Sequence, residues 1–135
     1  MERELWNTIE GFGDLYMEME LVVAWEPILF VCTNKEATER YLVMTYNSAD
    51  EKYVIVNISV RQLLKMLQNQ ITIEKTFRSS DAIWFTMNIS KDIIIAMKES
   101  AITFDAKKLP DQGAFYNIDS SYIKSYIDFL TASAP

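Results

Sequence analysis

Histidine is absent from the 135 residues and cysteine occurs once. Those two gaps exclude intrachain disulfides, Cys/His zinc sites, imidazole acid–base chemistry and every Ser-His or Cys-His nucleophile pair. Glycine is nearly as scarce, at three residues. Gly11-Phe12-Gly13 lacks the third glycine and the strand-before, helix-after context of a dinucleotide loop, so it reads as a turn. No uncharged apolar run approaches the roughly 20 residues that span a bilayer, and Met1-Glu2-Arg3-Glu4 lacks the basic-then-apolar order of a signal peptide. The expectation is a cytoplasmic protein without membrane contact. Cys32 lies in an apolar run and reads as a small core residue.

What is present argues for a packed core. Half of the residues are hydrophobic and 13% are aromatic, enough burial to offset the entropy of ordering one domain over residues 1–135. The net charge of −6 is unevenly placed. Residues 1–34 hold seven acids (Glu2, Glu4, Glu10, Asp14, Glu18, Glu20 and Glu26) against Arg3 alone, while the remaining residues balance. Such a segment repels a phosphate backbone and attracts a basic partner.

Residues 2–9 fit either a short amphipathic helix or an extended lead-in. From Asp14 the period is two: Leu15, Met17, Met19, Leu21, Val23 and Trp25 share one face, and Asp14, Tyr16, Glu18, Glu20 and Val22 share the other. Pro27 starts a second strand with the core run Ile28–Cys32. Asn34–Glu39 and Asn47–Asp50 are loops that place strands at Arg40–Tyr46 and Lys52–Ile58, in an antiparallel meander. Ser59 and Gln62 form a capping box ahead of Val60, Leu63, Leu64 and Leu67, which predicts a helix over 59–69. Thr72–Phe77 fits a further helical turn and Ala82–Ile89 a strand; at Ile93–Ile95 β-branching favours a strand, the reading adopted, while Ser90 could instead cap a helix through Lys98. Leu109–Gly113 is a turn before an extended Ala114–Ile118, and Asp119 or Ser120 caps a terminal helix with the stripe Ile123, Tyr126, Ile127 and Leu130. The fold class is α+β: a twisted antiparallel sheet of about five to seven strands, a meander able to curl into a barrel, packed by two helices.

Glu18 and Glu20, with Tyr16, are placed on one strand face as a divalent-metal or small-molecule enzyme would need, but a solvated face explains the same spacing and no second acidic cluster is identifiable. Arg61, Lys65, Lys75 and Arg78 form a modest basic stretch that reads as a solvated helix face. Trp84 is either an aromatic anchor for a partner or an inner-sheet residue. Sheet aromatics also admit single-stranded RNA binding, against which the net charge speaks.

The run Trp25-Glu26-Pro27-Ile28-Leu29-Phe30-Val31-Cys32, then Arg40-Tyr41-Leu42, Tyr53-Val54-Ile55-Val56 with Ser59 and Leu63, Ile71-Thr72-Ile73 with Phe77, and Leu109-Pro110-Asp111-Gln112-Gly113, resembles a bacterial domain family of unknown function over residues 14–118. The resemblance implies a small bacterial or mobile-element α+β domain and carries no catalytic residues. The expected function is a non-catalytic interaction module, of the kind used by small inhibitors and immunity proteins, with an anti-CRISPR-like role as one member of that class. Its expected contact residues are Glu10, Asp14, Glu18, Glu20, Glu26 and Trp84, with no cofactor and no metal.

Overall fold

Two glycines decide the first hairpin. Gly11 and Gly13 hold φ of +95° and +86°, values that L side chains avoid, and the Phe12 amide donates to the Ile9 carbonyl at 2.9 Å. The chain therefore reverses between β1 (Leu5–Glu10) and β2 (Gly13–Val23). Of the two expectations for residues 2–9, the extended one holds. This is a computed structural model that describes residues 4–23, 27–47, 52–79, 82–90, 93–100 and 121–133. Trp25, Glu26, the turn at Leu109–Gly113, the extended Ala114–Ile118 and the cap at Asp119 or Ser120 lie outside the described residues.

The meander continues through β3 (Pro27–Thr33), β4 (Arg40–Asn47) and β5 (Lys52–Asn57), then α1 (Val60–Leu67) and α2 (Ile73–Arg78), then β6 (Ala82–Ser90), β7 (Ile93–Ser100) and α3 (Ser121–Ser133). Each strand is antiparallel to the next. The ring closes through a parallel contact of two residue pairs, Ile9 with Ile94 and Glu10 with Ile95. Seven strands thus form a closed barrel, and Ile93–Ile95 is strand as expected. The described helices number three rather than two, because Thr72 caps a separate α2 by accepting the Lys75 amide at 3.1 Å.

Buried side chains fall into two clusters. Ile9, Leu15, Phe30, Cys32, Val43 and Ile55 come from strands only and fill the barrel. Leu29, Val31, Leu42, Val54, Val56, Ile83 and Phe85 point to the outer face, where Leu63, Met66 and Leu67 of α1, Phe77 of α2 and Ile123, Tyr126 and Leu130 of α3 cover them. Strands β3, β4 and β5 are therefore buried on both faces, which is why Ile28–Cys32 is a nearly unbroken apolar run rather than an alternating one.

The single apolar face expected along residues 15–25 is split. Met17 pairs with Cys32 and Met19 with Val31, so Glu18 is an extra residue in a β-bulge. Leu15 and Met17 face the barrel interior, whereas Met19 and Leu21 join the outer cluster.

The Ser59/Gln62 capping box is present, with the Gln62 amide donating to Ser59 Oγ at 3.1 Å. On the helix that follows, Leu63 is fully buried and Leu64 only partly so. Leu63→Ala should cost about 2–5 kcal/mol in denaturant melts, Leu64→Ala clearly less, and Ser59→Ala about 1 kcal/mol. Equal losses at Leu63 and Leu64 would contradict this packing.

Candidate functional site

The bulge that splits β2 also builds a largely buried polar network. Because Glu18 is the extra residue, it turns outward together with Met19, toward α3. Its Oε2 accepts from Arg40 Nε at 2.7 Å and its Oε1 from Arg40 Nη2 at 2.9 Å, a two-point fork. Tyr126 of α3 donates its hydroxyl to the same Oε2 at 2.6 Å. The Glu18 and Arg40 side chains are only 9% and 14% exposed.

The electrostatics follow the contacts. The hydrogen bonds it donates to Glu18 push the Arg40 guanidinium further up from its ordinary value, so it stays charged. Burial, reinforced by the Glu18 charge, raises the Tyr126 hydroxyl far above the usual phenol range, so it stays a donor. Burial likewise raises the Cys32 thiol, which leaves it a core residue without thiolate character.

Phe129, 51% exposed, stacks on Tyr126 with centroids 6.2 Å apart, and the Arg40 guanidinium lies 5.9 Å from the Phe129 ring centre. With Tyr122, Met19 and Ala37 these groups line a cleft of about 540 Å³ between α3 and the barrel.

This geometry corrects two expectations. Glu18 does not belong to a solvated acidic face, because the bulge carries it under α3, where Arg40 neutralises it. Nor do Glu18 and Glu20 offer a shared metal or catalytic pair, since both Glu18 oxygens are engaged and Glu20 lies exposed beyond the bulge. Among the described residues no group of three or more acidic or cysteine side chains is placed to hold a metal ion.

The other described acids of residues 1–34 are exposed as the sequence reading expects, but the bulge turns Glu20, paired with the interior-facing Phe30, to the opposite face of β2 from Asp14. Glu4, Glu10, Asp14 and Glu20 are exposed on β1, β2 and the residue preceding them. Asp14 additionally accepts from Thr8 Oγ1 at 2.6 Å, which fixes its carboxylate across the hairpin. Asp14 and Glu20 stand about 20 Å apart along β2 at the usual rise per residue, so the charges form a ribbon rather than a cage. The ion pairs between described residues, Arg40–Glu18 and Arg78–Glu74, involve none of these four carboxylates. Glu26 lies outside the described residues.

Trp84 is not an outward-facing anchor. It is partly buried against the barrel interior, edge to face with Phe12 at 5.2 Å, while Phe12 also meets Tyr41 at 5.3 Å. Trp6 makes the corresponding contacts to Phe30 at 5.0 Å and Tyr53 at 4.8 Å. These aromatics line the concave inside of a closed sheet, a geometry unlike the open platform on which single-stranded RNA bases stack.

Sequence reasoning missed Arg40 and Tyr126. One signal was available: Tyr126 is the hydroxyl-bearing member of the α3 apolar stripe, and a buried tyrosine hydroxyl needs a partner. Comparison with protein-family models, with curated proteins and with solved structures gives no match.

Proposed function

We propose that the protein is a non-catalytic binding module of inhibitor or immunity type that engages a basic surface of a partner protein through its acidic β1–β2 ribbon. One observation carries this reading. Glu4, Glu10, Asp14 and Glu20 are exposed and outside the ion pairs formed between described residues, and no lysine or arginine occurs between residues 4 and 34. A field of one sign over one ribbon speeds encounter with a complementary surface and rejects like-charged ones. Glu18 drops out of the contact set because its charge is internally balanced, and Trp84 drops out because it lines the barrel.

The test is a triple reversal, Glu10→Lys with Asp14→Lys and Glu20→Lys, set against Arg61→Glu with Lys65→Glu on the exposed face of α1. Capture of a partner from lysate of the source organism should be lost in the triple variant, retained in the α1 variant, and abolished for the unaltered protein by raised salt. Thermal melts of all three proteins establish that each is folded, since exposed substitutions usually change stability by less than about 0.5 kcal/mol. Capture that survives the triple reversal with unchanged salt dependence excludes the ribbon as the contact surface.

A further inference from the structure

We infer that the partner segment taken by this surface is an extended, lysine- or arginine-bearing strand that adds to the edge of β1 that no described residue pairs with, beside the barrel seam. The inference rests on the acidic-ribbon reading and specifies its partner.

Among the described residues the seam is incomplete. On its β2 side, β1 is paired from Leu5 to Ile9. On its β7 side the ladder consists of Ile9 with Ile94 and Glu10 with Ile95. Because the two strands run parallel and Thr8 falls opposite Ile93, where β7 begins, residues Leu5–Asn7 extend past its start. No described residue pairs with them there. An unpaired strand edge exposes backbone donors and acceptors that an added strand satisfies, and a closed barrel normally removes such edges.

The side chains around this edge specify the occupant. Leu5 is 54% exposed and Thr8 is exposed, giving an apolar and a small polar position on the outer surface. Glu4, just before β1, and Glu10, at its end, flank them, and Asp14 sits opposite Thr8 on β2. A strand laid here places alternate side chains over this surface, where a cation is favoured and a carboxylate is repelled. A second copy of this chain would bring Glu4 and Glu10 against themselves, and a nucleic acid would bring phosphates, so both are disfavoured by charge.

Two synthetic peptides of equal charge test the inference: one alternates lysine with valine, and the other has prolines replacing valines so that it cannot form a ladder. Fluorescence anisotropy at low salt should show the alternating peptide binding at least about tenfold more tightly than its proline counterpart, a difference of about 1.4 kcal/mol. Hydrogen exchange should slow at the amides of Leu5–Asn7 when the alternating peptide is bound, and Glu10→Lys with Asp14→Lys should weaken its binding. Equal binding of both peptides without slowed exchange overturns strand addition while leaving the acidic-ribbon reading intact. Slowed exchange confined to Ala96–Ser100 of β7 also overturns it. Failure of both peptides to bind at low salt overturns the inference and counts against the ribbon as well.

Discussion

Arg40→Met is expected to destabilise the protein by about 3–5 kcal/mol, the usual cost of stranding one member of a buried ion pair. Glu18 would be left 9% exposed with one hydroxyl donor, from Tyr126, in place of three hydrogen bonds. The paired variant Glu18→Met with Arg40→Met should recover most of that loss, because removing both charges also removes their desolvation penalty. Tyr126→Phe removes one hydrogen bond to a charged acceptor and should cost about 1.5–3 kcal/mol. The measurement is urea denaturation of the unaltered protein, Arg40→Met, Glu18→Met and the paired variant, read as a double-mutant cycle, with Tyr126→Phe melted alongside. A loss below about 1 kcal/mol for Arg40→Met would mean that the pair behaves like a solvated surface contact.

Phe30→Ala should cost about 3–5 kcal/mol for a different reason. Phe30 is 1% exposed inside the barrel and meets Trp6 edge to face. The surrounding wall is a hydrogen-bonded ring, so it cannot collapse far into the space left behind, and the cavity term remains in full. Val22→Ala, on the neighbouring strand but at a position 39% exposed, should cost far less. Similar losses at the two positions would show that the barrel interior is loosely filled.

Local order was largely legible in the sequence, and long-range geometry was not. The strand at β6, the continuous apolar run of β3 and the Ser59/Gln62 box each report a neighbour relation within a few residues, and each is found in the structure. Residues 2–9 were ambiguous for a physical reason. A register shift between Leu5 and Asn7 lets Trp6 and Ile9, three residues apart, both face the barrel interior, and that spacing also fits a helix. Glu18 followed the same logic. Its outward turn depends on Met17 meeting Cys32 while Met19 meets Val31, and its neutralisation depends on Arg40, contacts that no local window contains. The charge arithmetic therefore counted Glu18 among the solvated acids, whereas the assignments of Glu10, Asp14 and Glu20 as exposed agree with the structure.

Strands β3, β4 and β5 contribute one set of side chains to the barrel interior and the alternate set to the layer beneath the helices. The two clusters consequently share one backbone. Pulling the helices away would bare one side of the same ladders whose other side holds Phe30, Val43 and Ile55, and emptying the interior would bend the surface on which Leu63, Phe77 and Leu130 rest. This coupling makes the two layers one cooperative unit, with a single melting transition followed equally by barrel and helix probes.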